Sequence, residues 1–406
     1  MKCFNHTCQG ESHKAVNKVC QDYSFCHIYD DGTAMAIVCD GHGGNRYFRS
    51  DVGSRFATEI IEQNVRLFLV QSDFEMFRGR PYTRQTAIQT EVTESNFEKR
   101  DALYPVFRQL FASILSRWHE AIQRHAEENP LSKAEQNSVE EKYQQEFLRR
   151  DSLEKIYGCT LMCYVYTPTF WFAFHLGDGK CIMFDNEGHA FEPIPWDERC
   201  FLNKTTSICD SDAINEFRYC YCGDGTFPLA VFLGSDGIDD SFGNDVNLTN
   251  FYIQILKNLS REGLESVKQE FIDELPILSK RGSQDDMSVA FVYSDLGLPG
   301  LIEKLIQWQI DSARNEYDGV VEKISTQWDR ISKLESKYWL SQKEKIDLEY
   351  AQSELGRIFA TKDRLLKKIN LLLGELGNPQ NLSAKDTVGK YPKCLKCSLN
   401  GRCNRN

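Results

Sequence analysis

The sequence predicts an α+β fold that is followed by a long helical hairpin. Up to about Ser294, runs rich in β-branched and aromatic residues cluster at both ends, and helical patterns lie between them. That order favours separate α and β layers over a strictly alternating parallel sheet. From 301 to 375 the chain is highly charged and nearly free of glycine and proline, and its apolar residues recur at steps of three and four.

In the first part of the chain, each strand or helix is predicted from the spacing of its apolar residues and from the residues that flank it. Flanking glycine and aspartate mark the ends of the strands, which we predict at 23–29, 34–40, 159–167, 170–178, 180–185, 229–236 and 287–294. Helical spacing of apolar residues predicts helices at about 54–69, 104–126, 139–155, 248–258 and 263–274.

The helical part carries two apolar stripes separated by a start signal. The first stripe comprises Val321, Ile324, Trp328, Ile331 and Tyr338, and the second comprises Ile346, Tyr350, Ile358, Leu365, Ile369 and Leu372. Between them, Ser341 and Glu344 form a capping-box pattern. We therefore predict an antiparallel, coiled-coil-like hairpin with its turn near 340–342. Two roles stay open: packing against its own domain, or an arm for a kinase or a second copy of the chain.

The bulk composition excludes some partners. The chain has 406 residues, a net charge of −11 and a pI of about 5.4. Nucleic-acid binding needs a basic surface, so we expect no nucleic-acid partner. A small phosphorylated substrate remains compatible, because metal ions can invert the sign of an acidic site. The N-terminus has no apolar signal region and no run is long enough to span a bilayer, so we expect a cytoplasmic protein without membrane contact.

The fifteen cysteines are mostly placed in apolar runs, where thiols act as small buried hydrophobes. The basic tail differs, because Cys394, Cys397 and Cys403 lie in a polar segment. Zinc there would need a further ligand, and a flexible thiol-bearing tail is the simpler interpretation. We divide the chain into a catalytic-type domain at 1–296, a helical hairpin at 297–380 and the cysteine tail at 381–406.

Acids stand at the ends of several predicted strands. They are Asp22, Asp40, Asp178, Asp236 and the pair Asp285–Asp286. One Asp-Gly step is ordinary turn chemistry. Several carboxylates at the rim of one core would repel one another and lose hydration, and divalent cations would relieve that cost. Oxygen ligands suit Mg²⁺ or Mn²⁺, so the pattern predicts a carboxylate-bridged site that activates water and holds a phosphoryl group.

The order of these motifs resembles the metal-dependent protein phosphatases of the 2C type. The matching elements are Asp-Gly-His-Gly-Gly at 40–44, Gly-Cys-Thr at 158–160, Gly-Asp-Gly-Lys at 177–180, Ser-Asp-Gly-Ile-Asp-Asp at 235–240 and Ser-Gln-Asp-Asp-Met-Ser at 283–288. The resemblance covers about residues 8–294, and its opening segment at 10–22 is more similar to the bacterial branch. It implies a central β-sandwich flanked by helix pairs, with metals at one end and a substrate-selecting flap at 195–226.

The resemblance also implies the ligands of the metal ions. Asp40 would bridge two ions, and the carbonyl of Gly41 would bind one of them. Asp236 and Asp285 would complete the shell of the first ion. Asp22 would hold metal-bound water.

Further positions match a third, weaker ion and an acid catalyst. Asp178 and Asp240 correspond to the third site of bacterial members. His42 would protonate the leaving serine or threonine oxygen, although a turn histidine bonded to backbone is the simpler alternative. The implied reaction is hydrolysis of protein phosphoserine or phosphothreonine by direct attack of a hydroxide that bridges two Mg²⁺ or Mn²⁺ ions.

Three departures from the family pattern affect the site. The arginine that grips the phosphate is missing from 12–22, and His13 or Lys18 is the candidate replacement. Gln21 stands where the family usually has glutamate, and Asp286 stands where it usually has asparagine. These changes leave two rival functions open: a catalytically weak scaffold that binds phosphoproteins or a kinase through the hairpin, and a hydrolase of small phosphate esters.

Overall fold

Two antiparallel sheets form the centre of the first part of the protein. The computed structural model describes residues 1–71, 74–85, 101–139, 143, 153–201 and 204–377. The strands are β1 (Lys2–Cys8), β2 (Tyr23–Ile28), β3 (Ala34–Cys39), β4 (Thr83–Gln85), β5 (Leu161–Tyr166), β6 (Trp171–Leu176), β7 (Lys180–Phe184), β8 (Ala190–Phe191), β9 (Arg218–Cys222), β10 (Ala230–Gly234) and β11 (Met287–Tyr293). One sheet has the order β1-β11-β10-β7-β8, and the other has the order β2-β3-β5-β6-β9-β4.

The helices flank these sheets and then form the C-terminal part. They are α1 (Glu11–Ala15), α2 (Ser50–Gln71), α3 (Tyr104–Glu128), α4 (Lys133–Ser138), α5 (Leu153–Ile156), α6 (Asp236–Phe242), α7 (Asp245–Glu262), α8 (Leu264–Arg281), α9 (Leu298–Glu335) and α10 (Gln342–Glu375). None of the described helices has the length and hydropathy that a membrane crossing requires. The α+β prediction with a C-terminal helical region is confirmed.

The core has a layer between the sheets and layers outside them. Small and medium side chains fill the space between the sheets, including Ala36, Val38, Val231 and Val292. Helices α2 and α3 pack with the outward residues of β3, β5, β6 and β9 in a large aromatic cluster. On the other side, Phe232 stacks on Tyr252 of α7 at 4.4 Å between ring centroids. This alternation along each strand is the period-two pattern of a sandwich whose two faces are both covered.

All seven predicted strands are present, and four strands were not predicted. The additional ones are β1, β4, β8 and β9. Strand β9 corrects the predicted flap at 195–226, because residues 218–222 pair with β6 and β4. The described residues before it, 195–201 and 204–217, contain one isolated bridge and one short 3₁₀ turn, and 223–226 after it also lie outside the strands. The predicted helix at 139–155 lies largely outside the described residues, as does the cysteine tail.

The chain divides into two compact units, Met1–Ile302 and a second unit from Glu303 onward. Within the second unit, Ser341 caps α10 and the side chain of Glu344 returns to the backbone N–H of Ser341 at 2.8 Å, so the capping box forms as predicted. Ile324 and Ile331 are buried along with Leu365, Ile369 and Leu372. Tyr338, Ile346 and Tyr350 are exposed instead of lying in the predicted stripes, because they flank the turn of the hairpin.

Candidate active site

Asp40 follows β3 and is held through its backbone. Its carbonyl accepts a hydrogen bond from the Thr160 N–H at 2.8 Å, and its N–H donates to the Thr160 hydroxyl at 3.3 Å. On its other side, the backbone at Gly41 lies close to that of Gln21, because a Cβ atom at position 41 would stand 2.3 Å from the carbonyl oxygen of Gln21. The strand exit therefore needs glycine so that the Gln21–Asp22 segment can lie against it.

The predicted acids come together around Asp40. Burial raises the pKa of the Asp40 carboxyl well above its usual range, and the charges of Asp22, Asp236 and Asp178 raise it further. The carboxyls of Asp40 and Asp236 lie close enough for each to shift the pKa of the other. Asp22 is 5% exposed, and its Oδ2 atom is buried without a hydrogen-bond partner. Burial, Asp286 and Asp236 raise the pKa of Asp22 well above the ordinary value.

The remaining predicted acids border the same cluster. Burial and the charge of Asp236 raise the pKa of Asp178 to about 6. Burial and then Asp285 raise the pKa of Asp240. The side chain of Asp285 is 51% exposed, and its charge acts on Asp22, Asp236 and Asp240. The structure thus brings together all six acids that the sequence singled out as metal ligands. We call Asp22, Asp40, Asp178, Asp236, Asp240 and Asp285 the acid cluster.

Asp239 belongs beside this cluster and was not predicted. Burial and its neighbour Asp240 raise the pKa of Asp239 to about 8, and its Oδ1 atom is buried without a partner. The signal was present in the sequence, because Asp239 follows Asp236 by three positions and such residues share one face of a helix.

The residues fit divalent cations, although the side chains do not enclose one as they stand. Across the described ranges, no three Asp, Glu, His or Cys side chains are arranged so that they could hold a metal ion. Yet buried carboxylates that repel one another are stable only when protons or cations neutralise them. The donors are all oxygen, which suits Mg²⁺ or Mn²⁺ better than softer metals. The buried, unpaired Oδ2 atom of Asp22 is a free ligand atom for such an ion.

His42 lies next to the acid cluster and contacts the segment 195–217. Its Nε2 atom lies 2.7 Å from the Ser207 hydroxyl, and its ring meets Tyr47 edge to face at 4.7 Å. Burial lowers the pKa of His42 to about 4, so the imidazole is neutral near pH 7. Sequence reasoning missed Ser207, since nothing local links residues so far apart in the chain.

The structure places His13, one of the candidate phosphate ligands, in the interior beside Asp286. It is 7% exposed, and its Nδ1 atom lies 2.9 Å from Asp286. The Asp286 carboxylate also accepts the backbone N–H groups of Gly10 and Gln21, both at 2.6 Å. Although burial opposes it, these contacts hold the pKa of Asp286 below its usual range. Asp286 therefore anchors the N-terminal segment to the start of β11.

Lys18 reaches the loop that follows Asp40, whereas Gln21 turns away from the acid cluster. The Lys18 ammonium group donates to the carbonyl of Gly43. Burial lowers the pKa of Lys18, and the nearby acids, Asp285 first among them, oppose that shift. The Gln21 amide donates to the hydroxyl of Ser50 in α2. Of the two candidates for the missing arginine, Lys18 is the one placed to meet an anion.

A buried arginine joins the segment 195–217 to the turn that carries Asp178. Arg218 is 1% exposed, and its guanidinium donates to the carbonyl oxygens of Pro195 at 2.9 Å and Gly177 at 2.5 Å. Its Nε atom lies 3.9 Å from the carboxylate of Asp197. The Gly177 N–H donates to the Thr206 hydroxyl at 3.1 Å. The segment is therefore positioned from both sides against the edge of the acid cluster.

The raised acids make the metal-free protein sensitive to high pH. Asp178 and Asp239 bind protons more tightly in the folded chain than in the unfolded chain, so they stabilise the fold at low pH. That stability is lost as the pH rises through about 6 and about 8. We expect the melting temperature in EDTA to fall between about pH 5 and about pH 8.5, and saturating Mg²⁺ to remove most of the fall. Differential scanning fluorimetry measures this, and a melting temperature that rises with pH in EDTA would contradict it.

Comparison with known proteins identifies a family match. A sequence profile described as protein phosphatase 2C matches residues 9–275, which is more than half of the chain. A comparison with curated proteins finds no match.

Solved structures of phosphatases are similar at low identity. A bacterial serine phosphatase is 15% identical, with 72% of this chain and 97% of that chain covered and a TM-score of 0.42. The serine/threonine phosphatase Stp1 from Staphylococcus aureus is 14% identical, with 72% and 95% covered and a TM-score of 0.42. The serine/threonine phosphatase PstP/Ppp from Mycobacterium tuberculosis is 12% identical, with 71% and 97% covered and a TM-score of 0.41.

Proposed function

The chain belongs to the protein phosphatase 2C family, and from that premise we propose that it hydrolyses phosphoserine and phosphothreonine in proteins. Two divalent cations, Mg²⁺ or Mn²⁺, would be held by Asp22, Asp40, the Gly41 carbonyl, Asp236 and Asp285. Asp178 and Asp240 would hold a third, weaker ion. The observation that carries the proposal is the acid cluster itself, in which burial and neighbouring acids raise the pKa of Asp22, Asp40 and Asp236.

The chain's own groups support direct attack of water on phosphorus. When bound, the ions would supply Lewis acidity and neutralise negative charge on the phosphate. Two thiols beside the loop at 40–44 argue against a cysteine nucleophile, because burial raises the pKa of Cys159 well above its usual value and also raises that of Cys209. A protonated thiol is a poor nucleophile, so no covalent phosphoenzyme is expected.

Two side chains would act on the substrate from opposite ends. Lys18 carries its charge to the loop at 40–44 and would attract the phosphate as a point charge, without the two-pronged grip of an arginine. His42 would hold the proton for the leaving oxygen, with Ser207 orienting its Nε2 atom. Since burial keeps His42 neutral without metal, it must gain its proton in the assembled complex.

The substrate class is tested by comparing three phosphate esters at equal concentration. We expect phosphate release with Mn²⁺ from a phosphothreonine peptide to exceed that from the matching phosphotyrosine peptide and from a small alkyl phosphate. Faster turnover of the small ester would favour the small-substrate hydrolase. Binding of the phosphopeptide without turnover would favour the scaffold.

The role of His42 gives a prediction that depends on the leaving group. For the phosphothreonine peptide, His42→Asn should lower the rate by about 10²-fold, because an alkoxide needs a proton as it leaves. For p-nitrophenyl phosphate, whose leaving group is a stable anion, the rate should change little. Steady-state kinetics on both substrates checks this, with Ser207→Ala as the control for loss of orientation alone. Equal losses on the two substrates would contradict a proton-donating role.

We propose the hairpin at 301–375 as an arm for a kinase or for a second copy of the chain. Two aromatic residues at its turn, Tyr338 and Trp339, are 101% and 82% exposed within this structure. Exposed aromatic side chains of this size are typical of binding surfaces. Light scattering on the wild type and on a Trp339→Ser variant separates a dimer from a monomer. The cytoplasmic location is likewise a proposal, supported by the free thiols of all the described cysteines.

A further inference from the structure

Two thiols face each other at the edge between the sheets, away from the acid cluster. Cys3 of β1 and Cys26 of β2 are both partly buried, and both line a surface cavity of about 480 Å³. Both side chains also pack against the core layer between the two sheets. The two residues lie 23 positions apart in the chain and in different sheets, so the tertiary fold, not local sequence, places them together.

The side chain of Asn5 holds the two strands in this register. Its Oδ1 atom accepts the backbone N–H of Cys26 at 3.1 Å, and its Nδ2 atom donates to the carbonyl of Ser24 at 3.0 Å. These bonds link β1 to β2 where no strand ladder does, since the two strands belong to different sheets. The thiol pair is therefore held in place by the fold.

The surroundings favour the thiolate form of one member of the pair. The neighbouring Cys26 side chain lowers the pKa of Cys3, burial opposes that shift, and the charge of Lys268 adds to it. Lys268 lines the same cavity, and its side chain is 36% exposed. Deeply buried thiols such as Cys39 and Cys163 behave in the opposite way, because burial raises their pKa. A thiolate that solvent can reach is the form that oxidants attack.

We propose that Cys3 and Cys26 are a reversible oxidation site, at which hydrogen peroxide converts the thiol pair to a disulfide. The Cys3 thiolate attacks one peroxide oxygen, the O–O bond breaks, and the product is a sulfenic acid with release of hydroxide, which takes up a proton to become water. The Cys26 sulfur then attacks the Cys3 sulfur, its thiol proton leaves with the hydroxyl group as a second water, and an S–S bond forms. Two thiols are oxidised by two electrons and one peroxide is reduced to two waters.

The bond would close a loop that carries part of the acid cluster, namely residues 4–25 with Asp22. Closing a loop of this length restricts the unfolded chain, so we expect oxidation to raise the melting temperature of the full chain by about 5 °C. This inference does not depend on the phosphatase proposal, because neither thiol belongs to the acid cluster.

Peptide mapping under non-reducing conditions tests the site. The full chain is treated with a small excess of hydrogen peroxide, digested and analysed by mass spectrometry, with and without dithiothreitol. We expect a Cys3–Cys26 linked peptide that dithiothreitol removes. It should persist in a variant with Cys394→Ser, Cys397→Ser and Cys403→Ser, and both the link and the melting shift should be absent from Cys26→Ser. Linkage of Cys3 to any other cysteine, or overoxidation of Cys3 with Cys26 left free, would overturn the proposal.

The rate of the first step tests the role of Lys268 without removing a thiol. Alkylation of Cys3 by iodoacetamide, followed by mass spectrometry at pH 7, should slow by about 3-fold in Lys268→Gln, because a nearby positive charge stabilises the thiolate. Lys280→Gln is the matched control, since Lys280 is an exposed lysine in the last turn of the same helix, α8. Equal alkylation rates in Lys268→Gln and the wild type, or equal slowing in both variants, would contradict an activated Cys3.

Discussion

Asp40→Asn is expected to reduce phosphate release from a phosphothreonine peptide by on the order of 10³-fold, while leaving the metal-free protein at least as stable as the wild type. Asp40 is half-buried, and desolvation together with three other acids raises its pKa, so its charge costs folding energy. Asparagine keeps the shape and removes the charge. A substitution that lowers activity but raises stability is typical of active-site residues.

The control for this prediction is an acid of the same type outside the cluster. Asp273 lies on an exposed face of α8, and Asp273→Asn should change neither the rate nor the melting temperature in EDTA. Phosphate release and melting curves in EDTA at pH 8 are the two measurements. If Asp40→Asn retained most of the activity, or melted well below the wild type in EDTA, Asp40 would be a structural residue.

Arg218→Met is expected to cause the largest loss of stability. The substitution leaves the carbonyls of Pro195 and Gly177 without their buried donor and removes the cation that lies 3.9 Å from the Asp197 carboxylate. Breaking such a buried pair costs about 3–5 kcal/mol, which corresponds to a drop of roughly 10 °C in a domain of this size. Turnover should fall as well, because Gly177 precedes Asp178 in the acid cluster.

Arg199→Met is the matched control, because Arg199 binds the same carboxylate from the surface. Its Nη2 atom lies 2.8 Å from Asp197, and its side chain is 47% exposed. Exposed ion pairs contribute about 1 kcal/mol or less, so this variant should melt within about 3 °C of the wild type. Similar melting temperatures for the two variants would show that burial does not determine how much Arg218 contributes to stability.

The sequence predicted most of the sandwich because its strands are apolar and sharply bounded. It did not predict β1, since Lys2–Cys8 is an edge strand with polar residues on both faces. It did not predict β9, because Arg218 looks like a loop residue until Asp197 and two carbonyls are seen to surround it. Charges that are neutralised by distant partners are invisible to local patterns.

The acid cluster could be predicted for the same reason that the strands could. Each of its acids lies near the end of an apolar run or just before one, and neighbouring strand ends converge in a sandwich. The contacts of His13, Lys18 and His42 could not be predicted, because Asp286, Gly43 and Ser207 lie far from them in the chain. The sequence suggests a phosphate-binding role for His13, whereas the structure pairs it with Asp286 in the interior.

We propose that the acid cluster binds the cations on which turnover depends. The most direct measurement is a Mn²⁺ titration of the metal-stripped full chain, in which bound Mn²⁺ and phosphate release from a phosphothreonine peptide are followed in the same samples. We expect turnover to rise with the amount of bound Mn²⁺ and EDTA to abolish it. The Asp236→Asn variant should lose Mn²⁺ binding and turnover together. Turnover that is unaffected by EDTA, or Mn²⁺ bound at full occupancy with no turnover, would contradict it.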